Sequence, residues 1–248
     1  MSDHAAYVQQ LGRRAREAAN ALTASTGNQR NAALLQMAQR IRAAKAELAA
    51  ENAKEVAAAE AAGLDRPVIE RLRLNDKRIE GMASGIESIA RQIDPVGQTL
   101  EGYVRPDGLR IEKRRVPIGV ILFFYESRPN VTADAAALCL KSGNAIILRG
   151  GKEAIHSNRA ITAIIAASLV EAGLHPHTVQ IVEQTDRALV PMLLKLDRYI
   201  DLVIPRGGES LIRAVVADAT MPVLKHFTGN CHIYIDSAYQ GIEQRMID

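Results

Sequence analysis

The 248-residue chain has no tryptophan, and Phe, Tyr and Trp together make up only 4% of it. Binders of single-stranded nucleic acid stack bases on aromatic side chains along a basic track. Charge is equally thin: the net is +3, with 14 Lys+Arg against 12 Asp+Glu in residues 1–100 and 17 against 16 in the rest. Nucleic-acid binding is therefore not expected. No run of about 18 consecutive apolar residues occurs, so no membrane-spanning helix is expected either. The two cysteines, Cys139 and Cys231, lack ligand-like pair spacing, which argues against a zinc site or a disulfide framework. Met-Ser-Asp-His at the start shows no charged segment followed by an apolar one; no secretory signal is expected, and a reducing cytoplasm is the expected compartment. No G-x-G-x-x-G follows any predicted strand, so the common dinucleotide fingerprint is absent.

What the chain does have is 48% hydrophobic and 24% charged residues, the make-up of a soluble globular protein of one or two domains. Alanine is unevenly spread: 23 of 39 lie in residues 1–100. Alanine is the best helix former, and this region lacks long β-branched runs. Helices are predicted over 3–24, 28–62, 66–73 and 76–93. Leu34, Met37, Ile41, Ala44 and Leu48 step by three and four along one helix face. The Lys/Glu run through 45–60 reads as a solvated face. Residues 97–117 then mix Gly, Pro and charge with short alternating pieces, a hairpin turning at Arg105-Pro106-Asp107-Gly108. It either lies flat or extends as an arm toward another subunit.

From 118 the pattern alternates strand and helix. Strands are predicted at 118–124, 145–148, 179–182 and 200–204, with short further ones at 223–224 and 232–235. Helices are predicted between them at 131–141, 152–172, 186–195 and 208–217. Ile118–Phe124 has no polar alternation, as in a strand buried on both faces. The expected fold class is α/β: a Rossmann-like parallel sheet flanked by helices, preceded by an Ala-rich helical N-terminal region and a β-hairpin arm.

Ligands of open parallel sheets bind beyond the carboxyl ends of the strands. Three polar segments fall there. After the first strand comes Tyr125-Glu126-Ser127-Arg128-Pro129-Asn130. Arg128 could hold a carboxylate or phosphate, and Ser127 or Asn130 could donate to an oxyanion or simply cap the next helix. After the second comes Arg149-Gly150-Gly151-Lys152, whose two cations could meet a ribose 2′-phosphate and favour NADP over NAD. After the fourth comes Pro205-Arg206-Gly207-Gly208, two glycines and a charge ahead of a helix N-terminus, an anion-binding arrangement. One such segment alone reads as a solvated turn; two at corresponding strand ends read as a site. Cys231 precedes His232, but neighbours on a strand point to opposite faces, so His232 is badly placed to activate it. Cys139 reads as helix core, and His156, His175 and His177 as solvated.

The runs Arg115-Val-Pro-Ile-Gly-Val-Ile, Tyr125-Glu-Ser-Arg-Pro-Asn-Val-Thr, Lys141-Ser-Gly-Asn-Ala-Ile-Ile-Leu-Arg-Gly-Gly and Tyr199-Ile-Asp-Leu-Val-Ile-Pro-Arg-Gly-Gly closely resemble the γ-glutamyl phosphate reductases of the aldehyde dehydrogenase superfamily. The resemblance spans nearly the whole chain and is densest from 115 to 236. It implies NADPH-dependent reduction of γ-glutamyl phosphate to glutamate 5-semialdehyde and phosphate, a step of proline biosynthesis. In that chemistry a Cys thiolate displaces phosphate to give a thioester, and hydride then releases the aldehyde. It implies that residues 1–96 and 118–236 build an NADP(H)-binding domain and that the 97–117 hairpin joins subunits in a homo-oligomer. Arg149 stands where the superfamily has a Lys reaching the adenosine ribose, and Pro205–Gly208 where its Gly-Ser turn meets the cofactor. Ser127, or else Asn130, stands near its oxyanion Asn. The superfamily often carries a water-activating Glu near His226; its absence suits a reaction that excludes water. The family's nucleophilic Cys belongs to a later segment, after a helix beginning around Ser237, and residues 237–248 match the start of that helix. By this alignment the nucleophile is expected beyond Asp248, and the chain carries the cofactor half without it, Cys231 being the alternative. A non-catalytic nucleotide-binding or subunit-interaction module is the competing expectation.

Overall fold

The computed structural model describes residues 3–227 together with 232 and 234. The Ala-rich region forms five helices: α1 (Asp3–Leu22), α2 (Gly27–Ala43), α3 (Lys45–Ala61), α4 (Arg66–Leu72) and α5 (Asp76–Arg91). Their starts follow local chemistry. Thr26 and Gln29 form a capping box on α2, Gln29 N donating to Thr26 Oγ1 at 3.2 Å and Thr26 N to Gln29 Oε1 at 2.9 Å. Asn75 caps α5 by accepting from Arg78 N at 2.9 Å.

The helix expected over 28–62 is two helices, broken at Ala44 (φ −87°, ψ 13°). No Gly or Pro marks the break. It lets α2 lie along α5 while α3 turns toward α4 and α7. The stepped face survives it, with Leu34, Met37, Ile41 and Leu48 all fully buried. Each such side chain contributes about 2 kcal/mol of transfer free energy. The solvated face expected over 45–60 is also corrected, because Asn52 and Glu55 are buried in its middle. Tertiary hydrogen bonds, described below, make that burial tolerable.

The hairpin consists of β1 (Thr99–Val104) and β2 (Arg110–Arg114), paired antiparallel. Gly108 supplies the positive φ of its turn (+88°). Leu100, Tyr103, Val104 and Leu109 are exposed on it.

Then follow β3 (Val120–Phe124), α6 (Asn130–Lys141), β4 (Ala145–Arg149), a 3-10 turn (Lys152–Ala154) running into α7 (Ile155–Glu171), β5 (Val179–Ile181), α8 (Leu189–Leu193), β6 (Leu202–Pro205) and α9 (Glu209–Asp218). The helix expected over 186–195 is shorter because 186–188 form a turn in which Ala188 N donates to Asp186 Oδ1 at 2.9 Å. The strand expected at 223–224 is a single bridge from Val223 to Val203. The expected strand at 232–235, the segment around Cys231 and the expected helix from Ser237 to Asp248 lie outside the described residues. The expectation of a nucleophile beyond Asp248 concerns a segment outside this sequence.

The sheet is parallel with strand order β5-β4-β3-β6, so the chain reverses direction across the sheet between β3 and β6. Both faces are covered. Ile121, Ile146 and Leu148 pack under α2, α5, α6 and α7, whereas Val120, Leu122, Phe124 and Ile147 pack against α1 and α8. That double burial is why β3 has no polar position.

Candidate dinucleotide cleft

Adjacent parallel strands in register end together, so the loops after β3, β4 and β6 meet at one edge. Phe124 pairs with Arg149 on one side and Pro205 on the other. Arg206 N donates to Phe124 O at 2.8 Å, and Tyr125 N to Arg149 O at 3.1 Å. Beyond this edge lies a cleft of about 700 Å³. Its floor is Tyr125–Ser127, Arg149–Gly151 and Gly208. Val190 and Pro191 of α8 and Leu211 and Ala214 of α9 add apolar lining.

Of the residues singled out in the sequence, Ser127, Arg149, Gly150, Gly151 and Gly208 line this cleft. The others do not. Lys152 opens the 3-10 turn and faces a neighbouring cleft of about 590 Å³ with Lys54 and His156. Pro205 is buried. Arg206 and Gly207 line a cleft of about 500 Å³ across the 125–128 loop, with His226 and Phe227. Arg128 lines that cleft and another, of about 650 Å³, which it shares with Asn130. The paired cations Arg149 and Lys152 thus diverge.

The local bonding refines each role. Ser127 Oγ donates to Glu153 Oε2 at 2.8 Å, over Gly151. A Cβ on Gly151 would lie on Ser127 Oγ and 2.8 Å from Glu153 Oε2. The cap of α6 is Pro129, with no side-chain bond, so neither Ser127 nor Asn130 serves as cap. Asn130 Nδ2 instead donates to Asp134 Oδ2 at 3.1 Å. Burial pushes the Asp134 carboxyl up, and the Asn130 bond opposes that. Arg149 donates to Gly150 O and Thr185 O, both at 3.0 Å, tying the β4 end to the loop after β5. Its buried Nε has no partner among the described residues. Burial, then the charge of Arg187, lowers its pKa, and a guanidinium stays charged regardless. No side chain caps α9 behind Gly208, so the free N–H groups of its first turn are available to an anion.

Sequence reasoning missed four features. Behind the cleft floor, Tyr125 OH and Thr132 Oγ1 lie 2.7 Å apart, and Thr132 donates onward to Asn158 Oδ1 at 2.8 Å. Thr132 has one proton, so Tyr125 is the donor of the first bond. Asn158 Nδ2 is buried without a partner among the described residues. Glu55 of α3 caps α7 from outside, accepting from His156 N at 2.6 Å and Ser157 N at 3.1 Å. Asn52 ties α3 to the α4–α5 link, donating to Leu72 O at 2.9 Å. The fourth is the apolar lining that α8 and α9 give the cleft. No local pattern marks these, because the partners are far apart in sequence.

Cys139 is buried in α6, and burial pushes its thiol up to about 12, so it cannot supply a thiolate near neutral pH. Among the described residues no group of His, Cys, Asp and Glu could hold a metal, and no helix is long and apolar enough to cross a membrane.

The family model described as "Aldehyde dehydrogenase family" matches residues 2–236. The chain belongs to the aldehyde dehydrogenase family. Membership implies a nicotinamide cofactor. The chain is 50% identical over 229 residues to a γ-glutamyl phosphate reductase of Oleidesulfovibrio alaskensis, covering 92% of this chain and 55% of that protein. It also superposes on the γ-glutamyl phosphate reductase structures of Thermotoga maritima (TM-score 0.88, 42% identity, 93% of this chain and 56% of that one) and Saccharomyces cerevisiae (TM-score 0.83, 34% identity, 88% and 56%). The chain therefore spans about half the length of the relatives it matches. A probable aldehyde dehydrogenase of Listeria monocytogenes shares the fold at 16% identity (TM-score 0.71).

Proposed function

We propose that this aldehyde dehydrogenase chain supplies the NADP(H)-binding part of an enzyme reducing γ-glutamyl phosphate to glutamate 5-semialdehyde and phosphate. The observation that carries the reading is the glycine-lined cleft where the β3, β4 and β6 loops converge, in a chain about half identical to γ-glutamyl phosphate reductases. The residues fit a dinucleotide. The apolar lining from α8 and α9 suits a flat base, and the uncapped start of α9 at Gly208 suits a pyrophosphate. Arg149 lines the cleft, and its positive charge biases the site toward a 2′-phosphate. When bound, the nicotinamide supplies the hydride. Ser127, at the β3 end of the cleft, offers an O–H to the acyl oxygen once its bond to Glu153 opens.

Since Cys139 is excluded as nucleophile, the candidates are Cys231, outside the described residues, and a cysteine in the part of the relatives that this chain, ending at Asp248, does not span. The exposed apolar residues of the hairpin fit a pairing arm for a homo-oligomer, and they support the second reading, a non-catalytic subunit-interaction module. The reading places the chain among the biosynthetic enzymes of the cytoplasm.

Two assays test the proposal. NADPH titrated into the chain is expected to bind saturably and more tightly than NADH, by about tenfold, a preference reduced in Arg149→Ala. No NADPH binding would contradict it. Phosphate-dependent NADP reduction with glutamate 5-semialdehyde is expected to be absent; turnover abolished by Cys231→Ala would give that cysteine the nucleophile's role.

A further inference from the structure

The charge lining the clefts is uneven. The dinucleotide cleft is balanced, with Arg71, Arg149 and Arg187 against Glu126, Glu153 and Asp218. The cleft holding Arg206 is balanced too, with Arg128 and Arg206 against Glu126 and Asp134. The third cleft, about 650 Å³ between the start of α5 and the start of α6, is not. Arg71, Lys77, Arg78 and Arg128 line it against the single carboxylate Asp134. That carboxylate already accepts from Asn130 and is partly desolvated, which weakens its claim on the cations. Arg78 is committed to the carbonyls at the end of α4, with Nη1 2.5 Å from Arg73 O, and Arg71 leans on Glu126 at 3.9 Å. Arg128 and Lys77 have no side-chain hydrogen bond or ion pair among the described residues.

The position of this cleft matters as much as its charge. The 126–128 loop parts it from the dinucleotide cleft, and Arg71 lines both. Ser127 belongs to one side and the next residue, Arg128, to the other. An acyl phosphate has a matching layout, one carbon carrying the carbonyl oxygen and, through a bridging oxygen, the phosphoryl group. Resting on the reading above, we propose that this basic cleft receives the phosphoryl group of the acyl phosphate, with Arg128 as the principal contact and Lys77 adding charge. Arg128 is then a specificity residue that selects an acyl phosphate over an uncharged acyl compound. The balanced dinucleotide cleft stays free for the cofactor.

The test uses the full chain and a stable phosphonate, L-2-amino-6-phosphonohexanoate, compared with L-2-aminohexanoate, which lacks the phosphonate. Calorimetry is expected to show a preference for the phosphonate of about tenfold or more, the value of one charge-assisted contact. Arg128→Ala erases that preference and leaves the affinity for L-2-aminohexanoate unchanged; Arg128→Lys restores part of it; Lys77→Ala reduces it about threefold. Arg128 and Lys77 are not buried, so these variants are expected to fold, as circular dichroism checks. An unchanged preference in Arg128→Ala, or its loss in Arg206→Ala instead, overturns the assignment. NADPH titrated into the same samples separates the two readings: NADPH binding without any phosphonate preference overturns this assignment alone, whereas no NADPH binding overturns the reading beneath it.

Discussion

A Cβ placed on Gly150, at the end of β4, would come within 2.6 Å of Asn158 Nδ2 and 2.8 Å of Tyr125 Cζ; one placed on Gly208, at the end of β6, would meet nothing within 4 Å. Both glycines belong to Gly-Gly pairs that follow parallel strands, and both line one cleft. At Gly150 the missing side chain makes room for the protein's own buried Tyr125–Thr132–Asn158 network. At Gly208 the missing side chain leaves space ahead of an uncapped helix. If the cleft holds the cofactor as proposed, the first glycine serves packing and the second the ligand, and damage to stability and damage to binding should separate between them.

The largest effect expected is from Gly150→Ala. The added methyl meets groups held in a packed interior, so stability falls by about 1–3 kcal/mol, measured by urea unfolding. An unchanged midpoint would mean that the network yields easily and that the contrast is false. Next is Gly208→Ala, which is expected to fold within about 0.5 kcal/mol of the parent. Its NADPH affinity should nonetheless drop about tenfold, because a methyl enters the space offered to the pyrophosphate. Equal loss of stability in both variants would remove the distinction. Tyr125→Phe sharpens it further: deleting the hydroxyl costs about 1 kcal/mol through the bond to Thr132, with NADPH affinity following only insofar as the Gly150 turn loosens.

The smallest effect expected is a pH dependence. Burial holds the Cys139 thiol up to about 12, above its value in the unfolded chain. The unfolded state therefore releases this proton first, and stability declines as pH rises above about 9. Urea midpoints at pH 8 and pH 10 should converge between the parent and Cys139→Ala. A parallel fall in both would assign the alkaline loss to other groups.

Much of this contrast was legible in sequence, because it depends on local signals. The apolar run at 118–124, the glycine pairs and the Pro-Asp-Gly turn marked the carboxyl ends of β3, β4 and β6 and the hairpin, although β3 itself begins at Val120. What stayed hidden depends on contacts across the chain. Glu55 caps α7 from about 100 residues away and looked like part of a solvated face. Arg149 and Lys152, three residues apart, looked like one phosphate clamp, but the strand ends at one and a 3-10 turn begins at the other, which sends them to different clefts. Gly150 and Gly208 looked alike because a glycine's purpose lies in what its absent side chain would have touched.

The central claim, that the cofactor occupies the cleft where the β3, β4 and β6 loops converge, is tested most directly by mapping amide resonances of isotope-labelled chain as NADPH is added. The account predicts that the shifts concentrate at Gly150–Glu153, at Gly208–Leu211 and around Val190. Shifts centred on Lys54 and His156, or on the hairpin, with those segments silent, would contradict it.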